Sequence, residues 1–148
     1  MISSFNGLFR WLVFNNCHIK LKCLPLKIYT SFILWEEMGN VMTEYVTVIR
    51  YNDKIKKAEE KLVELEERFK DINLNDMTTW TNQPLIFARE LQNMLVLARA
   101  IARGAFLRDE SRGAHYKPDF PNRNDEKFLK TTVAQHTPAG PKIWYEEV

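Results

Sequence analysis

The sequence predicts a mainly α protein: a three-helix up-down-up bundle, spectrin-repeat-like, followed by an irregular motif loop and a C-terminal β-hairpin. Three observations predict it. Apolar residues recur at three and four through successive stretches between Leu34 and Ala105. The sixteen residues from Glu110 to Asp125 crowd charge, glycine and proline together. Residues 128–148 then switch to short β-prone runs on either side of a proline- and glycine-containing turn.

Leu34, Met38, Val41, Met42, Tyr45, Val46 and Ile49 form the stripe of a first helix of about 16 residues. Gly39 weakens its middle by roughly 1 kcal/mol relative to alanine, so packing must hold it. Arg50, Tyr51 and Asn52 give a short break, and Asp53 or Asn52 can cap the second helix. There Ile55, Ala58, Leu62, Leu65 and Phe69 make one narrow apolar seam. The rest of Lys54 to Arg68 mixes both signs of charge, which is a solvated face and not a basic groove. The seam lasts about two heptads, too short for a coiled coil and suited to a bundle helix. Asn73, Asn75, Asp76 and Thr78 form a polar connection. Asn82 can cap a third helix with Pro84 in its first turn. Phe87, Leu91, Met94, Leu95, Ala98, Ile101, Ala102 and Ala105 mark its inner face, the alanines letting a neighbour come close.

Gly113, Pro118 and Pro121 end the third helix near Leu107 and hold an irregular segment in one shape. In it, Arg112 and Arg123 have Asp109, Glu110, Asp119 and Asp125 as nearby partners, so a local ion-pair network is favoured over capture of a phosphate or other anion. His115 has the chemistry of a general base, but catalysis needs a pocket and an oriented partner, and a hydrogen-bonded histidine in a structural turn is the simpler expectation. Ser111 lacks the setting of a nucleophile elbow. Phe128 to Gln135 and Lys142 to Val148 complete the hairpin around Thr137-Pro138-Ala139-Gly140-Pro141. Trp80, Phe87 and Trp144 are either core residues or interface anchors.

At 148 residues, 45% apolar and 27% charged, one soluble domain can form a core without metal or disulfide. The net charge of +2 is uneven: Arg10, Lys20, Lys22 and Lys27 give residues 1–33 a charge of +4 with no acid, leaving −2 for residues 34–148. Nucleic acid is not an expected partner, because no acid-free basic cluster exists on a predicted element. Cys17 and Cys23, with His18, match no closed zinc pattern and are expected as free thiols in a reducing cytoplasm. Basic residues interrupt the apolar patches of residues 1–33 well short of the ~20 residues that span a bilayer, and no signal-peptide pattern is present. This leader is atypical enough that it is not expected to belong to the ancestral domain of residues 34–148.

Glu110-Ser111-Arg112-Gly113-Ala114-His115, running on to Asp119, Arg123 and Asp125, resembles the C-terminal signature of succinate dehydrogenase and fumarate reductase flavoprotein subunits. Met42-Thr43-Glu44 with Val46-Thr47-Val48, Leu91-Gln92-Asn93-Met94 with Ala98-Arg99, and Phe128-Leu129-Lys130-Thr131-Thr132 extend the resemblance over residues 34–148. Lys117 and Asn124 make the wording most similar to Gram-positive bacterial forms.

The resemblance implies a fragment of an oxidoreductase subunit that passes electrons from succinate through FAD to iron-sulfur clusters. It implies the flavin-binding domain of the parent subunit and an iron-sulfur subunit as partners, in a complex peripheral on the cytoplasmic face of a membrane. With glycines only at 7, 39, 104, 113 and 140, the chain has no Gly-x-Gly-x-x-Gly cradle. No catalytic, cofactor-binding or metal-binding residue is therefore expected here, and the chain alone should be inactive. Glu110, Ser111, Arg112, Gly113, His115, Asp119, Arg123 and Asp125 are expected to serve structure or an interface. The alternative is an independent helical assembly module for a flavoprotein or iron-sulfur partner. Self-association through an exposed apolar face is a further expectation.

Overall fold

A computed structural model describes residues 11–14, 17–20, 30–74, 78 and 80–148. Two short strands, β1 (Trp11–Phe14) and β2 (Cys17–Lys20), pair antiparallel ahead of the bundle. The expectations for the side chains of Cys17, His18 and Cys23, and for Asn75 and Asp76 in the polar connection, lie outside the described residues.

Three helices follow, α1 (Ser31–Tyr45), α2 (Asn52–Phe69) and α3 (Gln83–Leu107), and each packs against the other two. Helix α1 starts three residues before Leu34 because the Thr30 hydroxyl accepts from the Ile33 amide at 3.4 Å, capping its first turn. It also stops earlier than its apolar stripe. Val46 is buried at the C-cap, but Ile49 is 55% exposed because its segment leaves the helix for backbone pairing with Tyr116. The Tyr116 amide donates to the Val48 carbonyl at 3.1 Å, and the Arg50 amide donates to the Tyr116 carbonyl at 2.8 Å.

The seam of α2 is buried as its spacing predicts, at Ile55, Ala58, Leu62, Leu65 and Phe69. Its cap differs from expectation. Tyr51 holds the N-cap position without a side-chain bond, since the Asn52 amide is drawn instead to Asp109 Oδ1, 3.2 Å away. Asp53 sits in the first turn, where a negative charge suits the helix dipole. Asn82 caps α3 as predicted, its Oδ1 accepting from the Leu85 amide at 2.8 Å, with proline in the first turn.

The inner face of α3 is rotated from the predicted one: Ala88, Leu91, Leu95, Ala98, Ala102 and Ala105 are buried, whereas Phe87 and Met94 are half-buried and Ile101 is exposed. The alanines admit α2 so closely that larger neighbours are turned outward. Trp80 is exposed, and Phe87 meets Trp35 edge-on with ring centres 6.4 Å apart.

The C-terminal hairpin is also shorter than predicted at its start. Phe128 belongs to a single helical turn, α4 (Asp125–Phe128), capped by Asn124 Oδ1 on the Lys127 amide, so β3 begins at Lys130. Strands β3 (Lys130–Gln135) and β4 (Lys142–Glu147) pair antiparallel from Lys130↔Glu147 to Gln135↔Lys142 and lie against α3. At the tip, the Gly140 amide donates to the Thr137 carbonyl at 3.0 Å, and the Thr137 hydroxyl donates to the Gly140 carbonyl at 2.6 Å. Arg99 passes beneath that tip while its Nη1 reaches Glu66 at 2.6 Å, so the turn rests on a side chain of α3 that is anchored to α2.

Candidate functional site

The motif is assembled where α3 ends. Arg108 turns the chain out of the helix with extended backbone, and its guanidinium gathers four acceptors. Nη1 donates to Glu110 Oε1 at 2.6 Å and to the Phe128 carbonyl at 3.0 Å. Nη2 donates to the Lys130 carbonyl at 2.8 Å and to the Thr132 hydroxyl at 3.0 Å. The same group lies 5.5 Å from the ring centres of both Phe128 and Tyr145, within the range of cation–π attraction. One side chain therefore joins α3, the motif, α4 and the hairpin.

Glu110 is completely buried and yet fully paired. Beyond Arg108, its Oε1 accepts from Arg112 Nε at 2.8 Å, and its Oε2 accepts from Arg112 Nη2 at 3.0 Å and from the Asn124 amide at 2.9 Å. Burial alone would raise its pKa, but Arg112, the Asn124 amide and Arg108 outweigh it and hold the carboxyl at about 2. Arg112 Nη2 also reaches Asp125 Oδ1 at 2.6 Å, and Arg123 grips Asp125 with two bonds of 2.6 and 2.7 Å. Glu110, Arg112, Asp125 and Arg123 thus form one continuous chain of alternating charge, as the sequence predicts.

Two expected pairs are not made. Asp109 pairs with Lys117 Nζ at 2.9 Å and not with an arginine. Asp119 lies exposed beside Phe120 and Pro121, because Arg123 is already held bidentately by Asp125.

The turn through Gly113 is a tight hairpin. Arg112 and His115 exchange both backbone hydrogen bonds, at 2.8 and 3.1 Å, and Gly113 supplies the positive φ of +58° that this reversal requires. The reversal points the His115 ring back at the bundle. Nδ1 accepts from Arg50 Nη1 at 2.5 Å, and Nε2 donates to the Arg108 carbonyl at 3.0 Å. That assignment makes the ring the neutral Nε2–H tautomer. Burial, then Arg50, Lys117 and Arg108, lower its pKa against the opposing pull of the Arg108 carbonyl. Both ring nitrogens are thus engaged, and His115 connects the α1–α2 link to the end of α3.

Ser111 is equally committed. Its hydroxyl accepts from the Lys117 amide at 3.0 Å and donates to the Phe120 carbonyl at 2.8 Å. Lys117, only 1% exposed, sends its ammonium to the Phe106 carbonyl at 3.0 Å as well as to Asp109. Burial lowers its pKa and Asp109 counters that pull. Among the described residues no group of three or more His, Cys, Asp or Glu side chains could hold a metal ion.

Arg50, Asn52, Arg108 and Lys117 were not foreseen as members of this site. Arg50 and Asn52 are 65 and 57 positions from the partners they meet, and nothing local to them signals that contact. Arg108 sits beside the predicted acids and was within reach of the same ion-pair reasoning.

The molecule is a three-helix bundle with a C-terminal hairpin, and its polar motif bonds chiefly to its own elements. The chain belongs to the fumarate reductase flavoprotein C-terminal family, whose model matches residues 35–148. It is 52% identical over 120 residues to the succinate dehydrogenase flavoprotein subunit of Bacillus subtilis, covering 80% of this chain and 20% of that protein. It is 39% identical over 114 residues to the fumarate reductase flavoprotein subunit of Haemophilus influenzae, covering 76% and 19%. The fold also matches a solved E. coli quinol fumarate reductase chain with a TM-score of 0.78 and 33% identity, over 81% of this chain and 21% of that one. The chain spans about a fifth of the length of the curated relatives it matches.

Proposed function

We propose that this chain serves as the C-terminal structural domain of a succinate dehydrogenase or fumarate reductase flavoprotein. It packs against the flavin-binding part of the subunit and shapes the surface near an iron-sulfur partner, and it performs no redox chemistry alone. The observation that carries this is the family match over residues 35–148 against relatives about five times as long. The motif supports it, because Glu110, Ser111, Arg112, His115 and Lys117 all spend their polar atoms on internal bonds. FAD, the succinate–fumarate chemistry and attachment to the cytoplasmic face of a membrane belong to the parent assembly. Among the described residues no helix is long and apolar enough to cross a membrane.

Residues 1–33 lie outside the domain in this proposal, apart from Ser31 to Ile33, which complete the first turn of α1. A chain starting at residue 30 should unfold at the same denaturant midpoint as the whole one.

The test is complementation in trans. The Bacillus subtilis flavoprotein subunit, truncated to remove the segment this chain matches, is mixed with the purified chain. Co-elution and recovery of succinate-dependent dye reduction are expected, with neither seen for the chain alone. Bound flavin absorbance or dye reduction by the chain alone would overturn the proposal.

A further inference from the structure

Among the described residues every other half-buried arginine has a carboxylate oxygen within 3.4 Å, namely Arg68, Arg99, Arg103, Arg108 and Arg112. Arg50 has none. Its Nε donates to the carbonyls of Val46 and Thr47 at 3.1 and 2.7 Å, and its Nη1 donates to neutral His115. Nη2 has no hydrogen-bond partner among the described residues. Burial pulls the Arg50 pKa below its ordinary value, and no acid offsets that effect. A cation half withdrawn from water gains from a counter-charge, and the open Nη2 leaves a donor that a partner from outside can reach.

The surroundings say what would pair with it. A shallow cavity of about 340 Å³ lies before Arg50, bounded by Arg108 and His115 on its polar side and by Leu97, Ile101 and Ile143 on its apolar side. Arg108 has a carboxylate partner in Glu110, whereas Arg50, on the same cavity, has none. Leu97 and Ile101 are 60% and 51% exposed on the outer face of α3, immediately beside it. A small free anion would satisfy the guanidinium and leave both apolar side chains in water. A carboxylate carried on an apolar polypeptide segment would satisfy both surfaces at once.

We propose that Arg50 receives an aspartate or glutamate side chain from the flavin-binding part of the parent subunit, borne on an apolar segment that covers Leu97 and Ile101. This rests on the docking role proposed above and adds to it the surface used and the residue type recognised. The α1–α2 link, held by His115 and Tyr116, then becomes the part of the domain that reports to its neighbour.

The test uses the same truncated Bacillus subtilis subunit and measures its affinity for the 148-residue chain and its variants. Arg50→Gln should weaken binding by about tenfold or more, and Ile101→Glu, which sets a carboxylate into the cavity without touching the core, should do the same. Arg50→Lys should keep most of the affinity and, with a water-soluble carbodiimide, form an amide cross-link from position 50 to an acidic residue that mass spectrometry identifies. Wild-type affinity in both Arg50→Gln and Ile101→Glu, or no cross-link at position 50 in the bound Arg50→Lys complex, would overturn the inference while leaving the docking role intact. Absence of binding by the unmodified chain to a truncated subunit that still carries its flavin, and is therefore folded, would remove both. Competition by free succinate beyond that of sodium chloride at equal ionic strength would assign the cavity to a small anion and defeat the proposal.

Discussion

Arg108 Nη1 lies 2.6 Å from Glu110 Oε1, joining the residue that closes α3 to a carboxylate with no exposure to solvent. A carboxylate so buried is tolerated only because four donors from Arg108, Arg112 and the Asn124 amide surround it. The pair holds the hairpin in place as well, since the same guanidinium binds the carbonyls of Phe128 and Lys130.

Glu110→Gln should therefore destabilise the chain more than any exposed acid-to-amide change. The amide keeps one acceptor but offers N–H groups where Arg112 or the Asn124 amide already donates, and it leaves the Arg108 guanidinium without its carboxylate. Breaking a buried pair from one side costs about 3–5 kcal/mol, a large share of the stability of a domain this size. Urea denaturation followed by circular dichroism measures it. A loss no larger than that of Glu126→Gln would show that the network contributes little.

The pH dependence follows from the same group. Glu110 has a folded pKa of about 2 against an ordinary value of 4.5, so the unfolded chain binds its proton first as pH falls. The stability it contributes is complete above pH 4.5 and is lost as pH drops through about 2. His115 acts at higher pH with the same sign. Its folded pKa is below 6.5, so its contribution is complete above pH 6.5 and declines as pH falls below that value. Unfolding midpoints of the unmodified chain should fall in both ranges. Glu110→Gln should reduce the lower loss without abolishing it, because Asp125 is held at about 2 as well by Arg123 and Arg112, and His115→Gln should reduce the upper one.

Lys117 and Asp109 should respond unequally to mutation. The ammonium is 1% exposed, whereas the Asp109 carboxylate is 37% exposed and also holds Asn52. Lys117→Met leaves a carboxylate that water can reach, at a cost of about 1–2 kcal/mol, chiefly from the Phe106 carbonyl it strands. Asp109→Ala leaves a buried cation without its counter-charge, at a cost of about 3–5 kcal/mol. Equal losses from the two variants in chemical denaturation would contradict this asymmetry.

Much of this architecture was legible in the sequence, and the exceptions share a cause. The seam from Ile55 to Phe69, the Asn82 cap and the Arg112–Asp125–Arg123 relay depend on neighbours a few positions apart, so spacing reveals them. The end of α1 at Tyr45, the missing Asn52 cap and the burial of Lys117 all arise from the motif docking back onto the α1–α2 link. Periodicity carries no information about that return contact. The rotation of α3 that exposes Ile101 was hidden for a different reason. Phe87 and Ala88 are both apolar, and only the closeness of α2 decides which of them turns inward.

Two glycines should respond in opposite directions to alanine. Gly39 lies inside α1, and a Cβ built there meets nothing within 4 Å, so Gly39→Ala adds helix propensity at no steric cost. It should stabilise the chain by up to about 1 kcal/mol, through a smaller loss of backbone freedom on folding. Gly140 has a φ of +123°, a conformation that alanine rarely adopts, and a Cβ there would stand 2.6 Å from Arg99 Nη2. Arg99 cannot withdraw without loosening its 2.6 Å bond to Glu66, so Gly140→Ala should both strain the turn and weaken the tie between the hairpin tip and α2. Thermal unfolding of the two variants separates these effects. Hydrogen exchange in β3 and β4 should rise in Gly140→Ala alone, and equal protection of the hairpin in both variants would show that Arg99 does not hold its tip.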